Sequence, residues 1–525
     1  MASLGVDILG DLRTGKRSPG LRQIFVPAIV FPVFAVLGLY TLHLGLVGGG
    51  RNRAVALAAA KTDRADIVDR NGEILAKNTY SFDLVMNARQ VSDPDKAAAF
   101  AHSMFPEISV SEVLEKIETG KGRIELKKNI GRDTADIIRM EKIKGISVVQ
   151  KQVREYPKHN LASHIVGFVN KDGDGIEGME LIADEKLKSV KEPLALSVDA
   201  RIQSIMRDHL NIAMKEYRAK AAMGILMNAR TGEVLAAVNL PDFDPENISA
   251  YPIEARDFGL LRHNFEMGSI FKIFNTALAL SHGIPLSKTF NVADPFYVSG
   301  RAISEARGFK PPAKNLNVEQ IMQYSSNRGS AQMALSLPEA AQSEFFRELY
   351  FDRPIDTNFG RTARPLFPQS KTATDRSRWA FGHGVAVTPL HAFLAANAIA
   401  NDGKYIMPTI YKRDFVPATR QIASKEVSEQ LRVIMLKVMD VSGRAAAIQV
   451  HGINIGGKTS TAQKPIGGKY SDDKNITAFF AAFPIEAPKW SMLILLDEPE
   501  SVPRTAAYNA VPVSGKIIDA VIPLL

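Results

Sequence analysis

The sequence predicts an α+β protein behind an N-terminal transmembrane helix. A small mixed domain comes first, and a larger domain with one antiparallel sheet and a helical insert follows. Three observations carry this reading. An uncharged apolar stretch runs from Ile24 to Val47. Short strand and helix patterns alternate between residues 62 and 195. Beyond residue 195, strand patterns stand at both ends and helical patterns fill the middle. A chain of 525 residues also exceeds one ordinary core, so two or three domains are expected.

The N-terminal 23 residues are polar and carry Arg13, Lys16, Arg17 and Arg22. The stretch 24–47 spans 24 residues (47 − 24 + 1), or about 36 Å as a helix, enough to cross a bilayer. A cleaved signal peptide is the alternative, with Ala54-Val55-Ala56-Leu57-Ala58 as its small-residue site. The stretch is longer than the usual signal-peptide core, which favours a retained anchor. Arg51, Arg53, Lys61 and Arg64 on the far flank balance the near one, so charge alone barely sets orientation. The expected layout is a cytoplasmic tail (1–23), a single span (24–47) and an exported remainder.

Hydrophobic residues at 46% and charged residues at 23% describe a chain that folds. The net charge of +9 is spread thinly, without basic runs interleaved with aromatics, so nucleic acid is not an expected partner. The absence of cysteine removes thiol catalysis, disulfides and zinc–cysteine sites. No His or acidic pair shows the spacing of a known metal site, so neither metal nor cofactor is expected.

In the smaller domain, Ile67-Val68 and Ile74-Leu75 flank Asn71-Gly72, a hairpin signal. Ser81 to Met86 reads as a further strand. Ser109 opens a helix through Ile117 with Glu112 as its capping-box partner. Asp133 to Met140 reads as helix and Ile146 to Val153 as strand. None of these carries a catalytic set, and a spacer or docking module is expected.

In the larger domain, Asp199 to Tyr217 is amphipathic, with Ile202, Met206, Leu210 and Ala213 on one stripe. Ala221–Met227 and Val234–Asn239 form an apolar hairpin expected at the centre of a sheet. Helices are expected over Val318–Tyr324, Gln332–Leu337, Pro389–Asn401 and Lys425–Val441. Strands are expected at Gly456–Gln463, Thr477–Phe483 and Trp490–Leu496, with a terminal helix from about Val513.

One stretch carries chemistry. In Met267-Gly268-Ser269-Ile270-Phe271-Lys272, Ser269 and Lys272 are three apart. At a helix start, that spacing places both on one face. An unprotonated, buried lysine can take a serine proton and so make a nucleophile. Gly268 permits the tight entry. Alone this is a weak motif, also consistent with an ordinary helix N-terminus. Two further motifs follow in order: Ser325-x-Asn327, 56 residues on (325 − 269), then Lys458-Thr459-Ser460-Thr461, 133 residues on (458 − 325).

With these three motifs the chain resembles the penicillin-binding proteins, whose pattern is Ser-x-x-Lys, Ser-x-Asn and Lys-Thr-Gly. Arg64 to Gly72, His164 to Phe168 and Gly175 to Glu180 are similar to signatures of the class B pedestal, closest to the division-specific FtsI-type branch. Ala229 to Ala236 and Gly384 to Leu390 match the transpeptidase domain. The resemblance spans about residues 62–515. It implies a pedestal or dimerisation-type domain (48–195) and a transpeptidase domain (196–525), the latter with helices on both sides of its sheet and a helical subdomain.

The resemblance implies a peptidoglycan D,D-transpeptidase, acting by a serine acyl-enzyme in septal wall synthesis. Ser269 is the implied nucleophile and Lys272 its base. Lys458 is the implied second cation, and Ser325 relays the proton to the leaving amine. Asn327 holds the peptide backbone and Lys272. Thr459 and Thr461 bind the substrate carboxylate, beside Ser460. The backbone N–H groups of Ser269 and Thr461 form the oxyanion hole. Implied partners are stem peptides, β-lactams, the membrane, a membrane glycosyltransferase and other division proteins. The implied place is the bacterial inner membrane, with a periplasmic catalytic domain. His263, His383 and His451 read as structural, because the three motifs leave no task for a histidine.

Four residues depart from the family pattern: Ser460 for Gly, Met267 for Pro, Ile270 for a small residue and Ala65 for Gly. Ser460 adds a Cβ and a hydroxyl where glycine lets substrate lie close. A weakened member serving as a wall-complex scaffold is therefore a second reading, and a β-lactam sensor or β-lactamase a third.

Overall fold

The computed structural model describes residues 64–525, apart from 121, 307–308, 369–371, 414, 442–447 and 449–451. The expected tail, membrane span and Ala54–Ala58 run lie outside the described residues. Among the described residues, no helix is long and apolar enough to cross a membrane.

The smaller domain is built on a hairpin. β1 (Ile67–Val68) pairs antiparallel with β2 (Ile74–Asn87) across Asn71-Gly72, where Gly72 has φ +89°. The separate strand expected at Ser81 is the second half of β2. The polar run Lys77-Asn78-Thr79 breaks the apolar pattern but not the backbone pairing with the later strand Ile146–Glu155. Helices α1 (Pro94–Met104) and α2 (Val110–Thr119) follow, then β3 (Arg123–Ile130), α3 (Arg132–Glu141) and β4 (Ile146–Glu155). α1 was not expected from the pattern, although Asp93 caps it and Pro94 opens it. β3 and β4 both pair with β2, and β5 (Leu194–Ala195) runs parallel to β1.

A buried ion cluster holds this domain. Glu180 is fully buried and accepts from Arg64 Nε at 2.5 Å and Arg154 Nε at 2.7 Å. Ala65, where the pattern has glycine, is 4% exposed and lies outside the left-handed backbone region, so its methyl is accommodated. The hairpin turn also meets the start of α4 (Ala200–Glu216). Asp69 accepts from the backbone N–H groups of Asn71, Glu73 and Ala200, and Asn71 Nδ2 donates to Asp199.

The larger domain has one five-stranded antiparallel sheet. Its strands are β6 (Ala221–Asn228), β7 (Val234–Leu240), β8 (Gly456–Ile466), β9 (Lys469–Phe483) and β10 (Trp490–Asp497), in the order β8-β9-β10-β6-β7. The two ends of the domain thus pair as expected. β7 is an edge strand rather than a central one; it is buried along its length, and Val234 N donates to the Thr409 carbonyl. Side chains of β10 alternate between two cores. Met492, Ile494 and Leu496 pack with α4 and the terminal helix α10 (Ala510–Val521), while Leu493 and Leu495 face the other core. Helices therefore cover both faces, as the family resemblance implied.

The second core contains the helices that set the site. These are α5 (Phe271–Ser281), α8 (Pro389–Ala400) and α9 (Lys425–Met439), with α6 (Val318–Tyr324) and α7 (Asn327–Leu335) beside them. α8 is buried on all sides, so the others pack around it. α7 begins five residues before the expected Gln332, because Ser326 caps it and accepts from Gly329 N at 3.0 Å. A Cβ at Gly329 would stand 2.6 Å from Ile321, so the glycine there allows α6 and α7 to pack closely. α10 also begins early, at Ala510, because Pro512 is tolerated in a first turn that has no N–H partners to lose.

Candidate active site

Three segments converge on Ser269. The first is a single 3-10 turn, Gly268–Ile270, running into α5. Gly268 has φ +49°, and a Cβ there would lie 2.6 Å from Ser460 Oγ. Both the backbone and the space therefore demand glycine. Met267 and Ile270, two of the departures, are fully buried core residues. Their side chains belong to the main hydrophobic core.

α5 is buried on nearly every side, and Lys272 is its one charged residue. The lysine is 1% exposed. Its Nζ lies 2.9 Å from Ser269 Oγ, 2.8 Å from the Ser325 carbonyl, 3.1 Å from Ser325 Oγ and 2.7 Å from Asn327 Oδ1. Burial pulls its pKa down from 10.5 to about 7, against the opposing charge of Glu305. The amine is thus partly neutral near neutral pH. The Ser325 carbonyl and Asn327 Oδ1 only accept, so they take its two N–H bonds when it is neutral. Its lone pair then faces the serine hydroxyls.

The second segment is the junction of α6 and α7. Ser325 ends α6 in the left-handed region at φ +63°, and α7 starts two residues later. This sharp reversal turns Ser325 Oγ and Asn327 Oδ1 toward Lys272. Asn327 Nδ2 donates to the Ser304 carbonyl at 3.0 Å, which fixes the amide with its oxygen on the lysine. Ser325 Oγ lies 3.0 Å from Ser269 Oγ.

The third segment is β8, the sheet edge. Lys458 is fully buried, and its Nζ lies 3.1 Å from Ser325 Oγ. Ser460 is 3% exposed, and its Oγ donates to the Met267 carbonyl at 2.7 Å. The strand pleat divides this motif. Lys458 and Ser460 face the Ser269 turn. Thr459 and Thr461 lie on the opposite face, where Thr461 Oγ1 accepts from Ala506 N at 3.1 Å. That bond leaves the exposed Thr461 hydroxyl its own hydrogen to donate.

The structure thus joins Ser269, Lys272, Ser325, Asn327 and Lys458 in one hydrogen-bonded set, whereas the Thr459 and Thr461 hydroxyls lie on the other face of β8, outside that set. His383 lies beside Lys272, packs against Phe381 and Tyr470, and is held near pKa 4 by burial. His263 bonds Asp257 at 2.9 Å. His451 lies outside the described residues.

Two acids near the site escaped sequence reasoning. Glu266 accepts from Gly384 N at 2.8 Å and from Tyr470 at 3.2 Å, and burial raises its pKa. Glu305 accepts from Ser326, Asn327 and Arg328. It sits on a loop 36 residues after Ser269 (305 − 269), with no periodicity to mark it.

Comparison with known proteins gives two family matches. Residues 222–522 match the "Penicillin binding protein transpeptidase domain", and residues 59–201 match the "Penicillin-binding Protein dimerisation domain". A "Probable peptidoglycan D,D-transpeptidase FtsI" of Caulobacter vibrioides is 30% identical over 500 residues, covering 91% of this chain and 83% of that one. The "Peptidoglycan D,D-transpeptidase FtsI" of Escherichia coli is 26% identical over 514 residues, covering 91% and 86%. The crystal structure of penicillin-binding protein 2X from Streptococcus thermophilus shares the fold. Its TM-score is 0.76 at 20% identity, over 88% of this chain and 80% of that one.

Proposed function

Because this chain belongs to the penicillin-binding protein transpeptidase family, we propose that it is a peptidoglycan D,D-transpeptidase working through a serine acyl-enzyme. Its site is proposed to serve septal wall synthesis, by analogy with the FtsI-type relatives. The observation that carries the reading is the contact set around Lys272, an amine with pKa near 7 bonded to Ser269 and Ser325.

Ser269 Oγ attacks the carbonyl carbon between two D-alanines of a stem peptide. Its proton passes to the lone pair of Lys272. The carbonyl oxygen becomes an oxyanion, stabilised by the backbone N–H groups of Ser269 and Thr461. The peptide C–N bond then breaks. Ser325 hands a proton to the departing D-Ala amine and is resupplied from Lys272. Lys458 favours this relay by donating to Ser325 Oγ and by disfavouring a second positive charge on Lys272. An amine on a neighbouring stem attacks the ester next. Its proton returns to Ser269 through the same groups, completing the cross-link.

Asn327 orients Lys272 and the substrate backbone, and Thr459 and Thr461 receive the terminal carboxylate. Domain limits at 48–195 and 196–525 suit this reading, since β5 ends at Ala195 and closes the sheet that begins at β1. The uncharged stretch 24–47 supports a single membrane span, with a cytoplasmic tail and a periplasmic catalytic domain. A membrane glycosyltransferase and other division proteins are the proposed partners, meeting the anchor and pedestal. The scaffold and β-lactamase readings rank lower, because the contacts among Ser269, Lys272, Ser325, Asn327 and Lys458 are intact. Covalent labelling by a fluorescent penicillin, abolished in Ser269→Ala, tests the proposal.

A further inference from the structure

We propose that Glu305 is a positioning residue for acylation: its carboxylate fixes the turn that holds Ser325 and Asn327 against Lys272. The inference rests on the transpeptidase reading above. Glu305 takes Ser326 Oγ and Asn327 N at 2.6 Å each and Arg328 N at 3.1 Å. The Asn327 and Arg328 N–H groups belong to the first turn of α7 and otherwise lack partners within the helix. α7 has no acid of its own in that turn, so Glu305 supplies one from a separate loop. The adjoining residues of that loop reinforce the grip. Ser304 O accepts from Asn327 Nδ2, and Ile303 O accepts from Arg328 Nε.

This clamp acts at a costly place. Ser325 sits in the left-handed region, which serine seldom adopts. Its carbonyl and hydroxyl both contact Lys272. Asn327 N touches Glu305 while Asn327 Oδ1 touches Lys272, so one residue spans the distance from clamp to base.

Glu305 also acts through its charge. Among the described residues, three titratable groups face Lys272: Lys458 from β8, His383 from the loop before α8, and Glu305. On the helices packed against α5, Glu319 pairs with Lys437, and Arg328 donates to the Ile303 and Val292 carbonyls. His391 is bonded to Thr388 and Arg353 O, and Glu344, Arg347 and Glu348 are exposed. Glu305 is therefore the negative group that favours the protonated lysine, opposing burial.

The test uses the full chain and the acylation rate of a fluorescent penicillin between about pH 5 and 9, the range that brackets a neutral-pH base. Glu305→Gln keeps the size but removes the charge and one acceptor. It is expected to lower the plateau rate about tenfold or more, the scale of a lost charge-assisted hydrogen bond. Its acid limb is expected about half a pH unit lower than wild type, since a nearby negative charge is gone. Glu305→Asp is expected to keep the wild-type limb and regain part of the plateau. Glu305→Gln matching wild type in both respects would overturn the inference. Equal losses in both variants with an unmoved limb would mark a merely structural role and also overturn it. A folded wild type that takes no label at any pH would instead sink the transpeptidase reading, and this inference with it.

Discussion

Ser460 Oγ donates to the Met267 carbonyl at 2.7 Å, tying the sheet edge to the residue two before Ser269. The family pattern has glycine at this position. The added side chain points onto the Ser269 turn, where it is almost wholly buried. Ser460→Gly is therefore expected to destabilise the protein by about 1 kcal/mol, one net hydrogen bond plus added backbone freedom. Penicillin labelling should stay equal or fall. Thermal melting and labelling rates check both, and faster labelling in Ser460→Gly would mean that the serine obstructs the site.

Ser325→Ala removes the group between Ser269, Lys272 and Lys458. Acylation is expected to slow by about 10²–10⁴-fold, the range for losing a positioned proton carrier. The fold should persist, because the Ser325 carbonyl still receives Lys272. Stopped-flow labelling with a melting control measures this.

The pH dependence of acylation should follow Lys272. Its pKa is lowered to about 7, so the neutral base disappears as pH falls through that value. Labelling is expected to rise from pH 6 to about 8 with an apparent pKa near 7. A limb that began only near the ordinary lysine value, above pH 10, would exclude Lys272 as the base.

Acid should weaken the fold through buried histidines. His164 and His391 are each held near pKa 4 by burial, against 6.5 for an ordinary histidine. Between those values the unfolded chain takes up protons that the native chain refuses, so stability falls as pH drops from about 6.5 to 4. His391→Asn should flatten part of that slope in melting scans. An unchanged slope would place the acid sensitivity elsewhere.

Glu180→Ala is expected to cost about 3–5 kcal/mol, the scale for breaking a buried ion pair. It leaves the buried Arg64 and Arg154 side chains without their shared carboxylate. Denaturant unfolding measures the loss. A cost under 1 kcal/mol would show that water reaches those guanidinium groups.

The proposed catalytic set was legible where chemistry coincides with short spacing. Ser269 and Lys272 sit one turn apart, and the Ser325 and Lys458 motifs kept their order. Helix α4 was legible from its apolar stripe, and the expected ranges of α6, α8 and α9 lie within two residues of those observed, where Asn317, Thr388 and Ser424 cap them. What escaped depends on pairing or on tertiary contact. β2 continues through Lys77-Asn78-Thr79 because β4 lies beside it. β7 is apolar like a central strand, yet it is an edge covered by the chain at Thr409. Glu305 has no local signal at all: it matters because its loop folds back onto the start of α7. The direction of the Ser460 side chain was equally hidden, since it depends on where the edge strand meets the turn.

The most direct test of the account is intact-mass and peptide-mapping mass spectrometry after brief exposure to benzylpenicillin. The expected result is one penicilloyl adduct per chain, on the peptide containing Ser269, and none in Ser269→Ala. An adduct on any other residue, or a folded wild-type chain that remains unmodified, would contradict it.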